Sequence, residues 1–147
     1  MILIALVLTT DMVVISDRSL VEDALAAYEL LTIDAQAGLT IEKALLDSLL
    51  VEISRLEAVQ TDVSTFQSDY SSVLALTVET VHINDRSAVE VALTAYENLS
   101  ISAQAGLASE KVLLDSLLVE ISRLEAIQAE VSLFKTDHSV VLSLSLN

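Results

Sequence analysis

The sequence contains no cysteine and no proline, and its only glycines are Gly38 and Gly106. Without cysteine, the chain has no disulfide bond, no thiolate metal ligand and no cysteine nucleophile. Flexible linkers rich in glycine or proline are also absent, and two isolated glycines do not make a phosphate-binding loop. We therefore expect long elements that are joined by tight connections.

Aromatic and basic residues are scarce as well. Five aromatic residues are present, and seven Lys and Arg face 22 Asp and Glu, so the formal net charge is −15. Because phosphate groups are neutralised by clustered Lys and Arg, this balance argues against nucleic acid and against an anionic membrane surface as partners. The core must consist mainly of Leu, Val, Ile and Ala, which line a polar active site poorly.

The feature that is abundant is repetition. The stretch KALLDSLLVEISRLEAVQ at Lys43–Gln60 returns as KVLLDSLLVEISRLEAIQ at Lys111–Gln128. When residues 12–79 are aligned with residues 80–147, 44 of the 68 positions are identical. A repeat of this length favours a structural array in which each unit contacts its neighbours, and it argues against an enzyme.

A further partial copy lies at the N-terminus. Residues 1–11 fall in register with residues 69–79 and with residues 137–147. The sequence therefore predicts two domains, repeat 1 at 1–79 with an extra strand copy at 1–11, and repeat 2 at 80–147.

Three segments have the composition of β-strands, namely 2–15, 72–83 and 140–147. Val73–Ile83 is rich in β-branched residues, and Val140–Asn147 alternates apolar and polar side chains. Met1–Leu8 is apolar but lacks a basic n-region, and it is shorter than the about 20 residues of a membrane span. We interpret it as a buried strand rather than a signal peptide.

The first helix of each copy follows an Asp-Arg-Ser sequence. Ser19 with Glu22, and Ser87 with Glu90, have the spacing of a capping box and predict that the helix begins there. Apolar residues at three- and four-residue spacing then predict a helix to about Leu31 in the first copy and about Leu99 in the second.

Two more helices are predicted in each copy. Thr32 and Ser100 are placed to cap a short helix at Ile33–Ala37 and Ile101–Ala105, and Gly38 and Gly106 are then expected to be left-handed residues at the helix end. A long third helix should run from about Thr40 to Phe66, and from about Ser109 to Phe134.

The long helix carries an apolar seam at heptad spacing. Its members are Leu46, Leu49, Ile53, Leu56, Gln60 and Val63, repeated as Leu114, Leu117, Ile121, Leu124, Gln128 and Val131. Gln60 and Gln128 interrupt the seam. Either they fix the register, or a small rotation replaces them with Val59 and Ile127.

These elements predict an α+β fold, mostly α, in which a strand–helix–short helix–long helix unit is duplicated and strands join the units. Two arrangements are open. The strands form a small parallel sheet with right-handed crossovers under the helices, or the long helices pair and the strands extend to a neighbouring subunit.

Residues that could carry chemistry do not form a recognisable site. Asp137, His138 and Ser139 have the residue types of a hydrolase triad, but adjacent residues do not converge on one point, and the first copy has Tyr70 in place of the histidine. His82 stands alone, which gives no metal-binding spacing. Tyr28 and Tyr96 are expected to be core residues with the hydroxyl at the edge. We assign no catalytic, cofactor-binding or metal-binding residue.

The run Val81–Ala126 combines Asp85 with a helix of Ala and Leu around Tyr96, a turn at Ser100 with Gln104, and a further helix. The first copy repeats these features. In them the chain resembles the small three-helix tandem repeats of Gram-positive bacterial cell-surface and S-layer-associated proteins. It departs from that pattern in its long third helix and in the absence of Pro and Gly between modules. Such repeats serve as stalks, spacers or adhesive modules, so the resemblance implies an extracellular structural role without catalytic residues.

The surplus strand copy suggests how such a protein would act. An unpaired strand edge is a template for further pairing. We expect a non-enzymatic structural protein that forms a homo-oligomer, filament, stalk or lattice through strand pairing and long-helix packing, without cofactors and without a membrane span. The alternative is a monomeric adhesion module or spacer at the cell surface that binds a protein or glycan.

Overall fold

The structure is a computed structural model that describes residues 8–144 of the chain. The chain divides into two compact units, Met1–Asp62 and Val63–Asn147. Their boundary does not coincide with that of the sequence repeats, because the segment 63–79 belongs to repeat 1 by sequence and to the second unit by packing.

The described part of the first unit is helical. A 3-10 turn at Ile15–Asp17 leads into α1 (Arg18–Glu29) and the short α2 (Ile33–Ala37), and α3 (Thr40–Asp69) follows. The apolar faces of α1 and α3 enclose a core with half-buried Leu8, Leu25 and neighbours around it. The fully or nearly buried members are Val13, Val21, Leu46, Leu49 and Ile53.

The second unit repeats this arrangement and adds the end of α3 to it. After α3 come α4 (Ser71–Leu74), a 3-10 turn (Ile83–Asp85), α5 (Arg86–Glu97), α6 (Ile101–Gly106), α7 (Ala108–Asp137) and α8 (Ser139–Leu144). The core of this unit contains Phe66, Val73, Val81, Val89, Ala92, Leu107, Leu114, Leu117 and Ile121.

The predicted seam of the long helix is confirmed over its first half. Leu49, Ile53, Leu117 and Ile121 are fully buried at the predicted heptad spacing. Burying side chains of this size stabilises the fold by about 1.5 to 3 kcal/mol each. Gln60 is exposed while Val59 is half-buried, which favours the small rotation over a register-fixing role.

The prediction of β-strands, and with it the α+β fold class, is wrong. Residues 8–144 contain no strand, and the described parts of the predicted strand segments hold helices and turns instead, while residues 145–147 lie outside the described part. Val73 lies in α4, and Val140–Leu144 lies in α8. Of the N-terminal strand, residues 1–7 lie outside the described part, and Met12 and Val13 form a turn on the Thr9 carbonyl.

The physical reason is burial along one helical face. Phe66, Tyr70 and Val73 follow one another at four- and three-residue steps, and Leu74 lies four residues after Tyr70. The end of α3 and the short helix α4 can therefore turn all four to the same core. The alternating apolar residues after Leu74 are buried less, since Leu76 is half-buried and Val78 is exposed. Strand preference depends on such packing context and yields to it here.

Local helix signals were predicted with mixed success. Thr32 and Ser100 cap the short helices as expected, accepting hydrogen bonds from the amides of Ala35 (3.3 Å) and Ala103 (3.2 Å). The serine capping boxes are wrong. The N-cap residues of α1 and α5 are Asp17 and Asp85, two residues earlier, and their carboxylates accept hydrogen bonds from the amides three residues before them, at 2.9 and 2.8 Å.

The left-handed glycines are also wrong. Gly38 has a right-handed conformation with φ −80°, and Gly106 is the last residue of α6. Neither glycine has a positive φ, so backbone conformation does not account for the presence of a glycine in both copies.

Candidate interaction surface

One arginine in each unit fastens the first helix to the long helix. The Arg18 guanidinium donates hydrogen bonds to Glu57 (2.7 and 2.6 Å) and to Ser54 (2.9 Å). In the second unit Arg86 makes the same contacts with Glu125 and Ser122, at the same distances. Such two-pronged arginine–carboxylate pairs fix geometry as well as charge.

We name each set of these contacts, an arginine with its glutamate and serine on the long helix, the arginine clamp. The clamp lowers the pKa of its glutamate. The hydrogen bond from Arg18 lowers the pKa of Glu57 below its ordinary value, and Arg86 lowers the pKa of Glu125 in the same way. Both carboxylates are therefore held in the charged form that the arginine needs. Their role is to join helices, since each is engaged by its own arginine.

The repeated tyrosines lie at the edge of each core. The Tyr28 hydroxyl donates to the backbone carbonyl of Gln36 (3.3 Å), and the Tyr96 hydroxyl donates to that of Gln104 (3.1 Å). The prediction of a core tyrosine with an edge hydroxyl is confirmed for Tyr96, which packs against the core of the second unit, whereas Tyr28 is half-buried. The two tyrosine rings have different neighbours. The Lys43 ammonium lies 5.9 Å from the Tyr28 ring centre, whereas the Phe66 ring meets the Tyr96 ring edge-on with ring centres 6.3 Å apart.

The candidate chemical residues are not brought together. The His138 ring hydrogen-bonds the Phe134 carbonyl (3.0 Å) and stacks on the Phe134 ring with centres 4.5 Å apart. His82 is exposed, and its Nδ1 lies 3.8 Å from Asp85. Within residues 8–144, no group of three or more His, Asp or Glu side chains is arranged to hold a metal ion.

The most distinctive surface is the one that the end of α3 covers inside the second unit. The side chains of Val63, Phe66, Tyr70, Val73 and Leu74 all join the core to which α5, Leu107 and α7 contribute. Three contacts define their position. Phe66 meets Tyr96, as above. A Cβ atom at Gly106 would lie only 3.1 Å from Val63 Cγ2, and Gln67 donates to Glu110 at 2.6 Å.

The corresponding residues at the end of α7 are exposed. Phe134, the counterpart of Phe66, is 56% exposed where Phe66 is 3% exposed, and Val141 is 64% exposed where Val73 is 7% exposed. We name the exposed counterparts the C-terminal apolar patch, which consists of Val131, Phe134, Val141, Leu142 and Leu144.

A matching difference occurs on the first unit. Ala35 is exposed and Leu39 half-buried, whereas their counterparts Ala103 and Leu107 are fully buried in the second unit. Among the residues that the structure describes, a Cβ atom at Gly38 would meet the Ala35 carbonyl at 3.5 Å and no side chain. We name this surface the N-terminal face, and it consists of Tyr28, Leu31, Ala35, Gly38 and Leu39.

Other surfaces of the described residues offer less. Two shallow depressions in the second unit are open to solvent, one beside Val112 and Val119 and one beside Tyr70 and Thr94. None of the helices described between residues 8 and 144 is both long enough and apolar enough to cross a membrane.

Comparison with protein-family models, with curated proteins and with solved structures finds no match to this chain. The sequence resemblance to cell-surface repeats therefore stays a prediction, and the geometry of the chain itself must carry the functional argument.

Sequence reasoning missed both the arginine clamp and the two apolar surfaces. For the clamp a signal existed, because Arg18, Ser54 and Glu57 are all retained in the second copy although much else on the exposed faces changes. For the surfaces the signal was the duplication itself. It aligns Phe134 with Phe66, but only the structure tells which of the two is buried.

Proposed function

We propose that this protein is a non-enzymatic structural repeat protein that associates with copies of itself through helix packing. Strand pairing has no part in this proposal. The observation that carries it is the C-terminal apolar patch, whose residues are exposed although their counterparts in the same chain belong to a core.

The side chains of the C-terminal apolar patch are large enough to stabilise an interface. Burying an exposed Phe, Val or Leu contributes about 1.5 to 3 kcal/mol each, so several such side chains together supply enough free energy for association. The opposing term is the net charge of −15, which keeps copies apart at low ionic strength. Association that depends on protein concentration is the expected result.

Light scattering coupled to size-exclusion chromatography, over a concentration series, tests the proposal. We expect a mass that rises above 15.8 kDa with concentration and elongated or ring-shaped particles in negative-stain images. A mass that stays at one chain throughout would overturn the proposal and favour the monomeric spacer or adhesion module.

The location of such an assembly is part of the same proposal. The resemblance to cell-surface repeats supports an extracellular place. Protease treatment of intact cells that produce the protein should then remove it, whereas full protection until the cells are lysed would contradict this location.

A further inference from the structure

We propose that the end of α7 in one copy docks on the N-terminal face of a second copy, in the geometry that the end of α3 adopts inside the second unit. This inference rests on the proposed self-association and names its interface. The chain contains its own template, because the docking helix and the docking face are both sequence repeats of segments that already pack together.

The first contact is aromatic. Phe66 meets Tyr96 edge-on, with ring centres 6.3 Å apart. Phe134 and Tyr28 are the counterparts of these two residues, and Phe134 is exposed while Tyr28 is half-buried. The docked Phe134 ring would meet Tyr28 beside Leu39, where an edge-to-face pair adds about 0.5 to 1.5 kcal/mol to the burial itself.

The second contact explains why a glycine is retained in both copies. In the second unit Val63 approaches α6 so closely that a Cβ atom at Gly106 would lie 3.1 Å from it. Gly38 occupies the same position beside α2, and among residues 8–144 the contact given for a Cβ atom there is the Ala35 carbonyl of its own turn, at 3.5 Å. Val131, the counterpart of Val63, would fill that space in the docked pair.

The third contact changes from polar to ionic. Gln67 donates to Glu110 in the second unit, and the counterparts of these residues are Lys135 and Glu42. A lysine therefore takes the place of the glutamine and faces a carboxylate on the second copy. In a chain with seven basic residues and a charge of −15, a Lys at this position supplies charge complementarity and suppresses other pairings.

The docking helix is already formed before it docks. Helix α7 extends to Asp137, and the His138 ring stacks on Phe134 as Tyr70 packs on Phe66 in the second unit. Little conformational entropy is lost when a formed helix docks, which leaves more of the burial energy for association.

The docking is confined to the end of α7. Leu144 in α8 is the counterpart of Leu8. Because Leu8 of the second copy already packs against the core of its own first unit, it occupies the position that Leu144 would take, and α8 does not dock there. The interface therefore joins two different surfaces, the end of α7 on one copy and the N-terminal face on the other. Such a head-to-tail interface builds an open chain of copies or a ring, rather than a two-fold dimer.

Two matched variants test the anchor residue. Phe134→Asp places a charge in the centre of the proposed interface, whereas Leu133→Asp places it on the neighbouring residue, whose counterpart Thr65 is exposed in the second unit. We expect Phe134→Asp to raise the dissociation constant of the assembly at least about 30-fold, as for a central anchor, and Leu133→Asp to change it much less. Circular dichroism should show unchanged helix content, because both side chains are exposed in the single chain.

A charge exchange tests the register. Lys135→Glu and Glu42→Lys should each weaken association several-fold, and the double variant should restore it. Failure of the double variant to recover would contradict the proposed pairing of these residues.

A disulfide trap tests the same register directly, since the chain has no cysteine of its own. A mixture of Gly38→Cys and Val131→Cys chains should form a cross-linked heterodimer on mild oxidation, and a mixture of Gly38→Cys and Leu133→Cys should form much less. If the wild type assembles but the Phe134 variant, the charge exchange and the trap all behave as their controls do, this interface is wrong and self-association stands. A wild type that stays monomeric overturns both.

Discussion

Arg18 and Arg86 show how much a single side chain can fix in a fold of this kind. Each reaches across from the start of a 12-residue helix to a glutamate and a serine on the long helix. Each also pairs with a glutamate one turn along its own helix, at 3.0 and 3.1 Å. The helix crossing is thereby held at one end by directional bonds and along its length by apolar packing.

This clamp predicts an acid-sensitive fold. The pKa of Glu57 is lowered in the folded chain, so the folded state binds a proton less readily than the unfolded state does. The stabilisation is therefore present at neutral pH, and it is lost as the pH falls below the ordinary glutamate value of 4.5. We expect urea unfolding of the wild type to show a loss of stability in this acid window.

Glu57→Gln and its counterpart Glu125→Gln provide the comparison for that experiment. Each should be less stable than the wild type at pH 7 and should lose less stability on acidification, since the titrating group is gone. Asp62→Asn is the matched control, because Asp62 is exposed and outside the clamp. Acid unfolding of both Glu variants that parallels the wild type would contradict the role of the clamp.

Whether a side-chain hydrogen bond can be predicted from the sequence depends on how far apart its donor and acceptor lie along the chain. The Thr32 and Ser100 caps were predicted because donor and acceptor are three residues apart. Arg18 and Glu57 are 39 residues apart, and no local pattern brings them together. Their contact depends on the angle at which α1 crosses α3.

The long helices are the elements that the sequence specifies most completely. Leu114, Leu117 and Ile121 are fully buried at the predicted spacing, and lysine–aspartate pairs such as Lys111–Asp115 support the exposed face at i, i+4 spacing. Each long helix nevertheless extends three residues beyond its predicted end, to Asp69 and Asp137. The sequence alone gave no stop signal at Phe66 or Phe134.

The burial pattern predicts a large contrast between two neighbouring apolar positions of α7. Ile121→Ala removes a fully buried side chain and should lower the free energy of unfolding by about 2 to 5 kcal/mol. Val119→Ala, at a residue that is 71% exposed, should change it by less than about 0.5 kcal/mol. Chemical denaturation followed by circular dichroism measures both, and equal effects would contradict the assigned helix face.

The failure at the strand-like segments has a different cause. Their β-branched composition was real, but Val73 is buried and Leu74 half-buried from the short helix α4, which packs against the same core as the end of α3. Their counterparts Val141 and Leu142 are exposed, although these residues also lie in a helix. Local composition contained no information about which helices are close enough to cover them.

At the scale of the whole molecule, charge opposes association. With a net charge of −15, copies repel one another over roughly 30 Å at 0.01 M salt and over roughly 3 Å at 1 M salt. Because the proposed contacts are mainly apolar, we expect assembly to become stronger as sodium chloride is raised across this range.

Sedimentation velocity at several salt concentrations would measure this effect. Lys135→Glu serves as a control, since it removes the only proposed attractive charge of the docking helix. This variant should need a higher salt concentration than the wild type to reach the same degree of assembly. Dissociation on addition of salt would instead indicate an interface dominated by ion pairs, contrary to the apolar contacts proposed.

The offset between sequence repeats and packed units has a consequence for how such a gene can change. The end of α3 belongs to one copy by descent, but it folds on the next copy. Recombination that adds or removes 68 residues in register therefore recreates the same junction wherever the crossover falls. A lineage could thus vary the length of this protein without having to evolve a new contact each time.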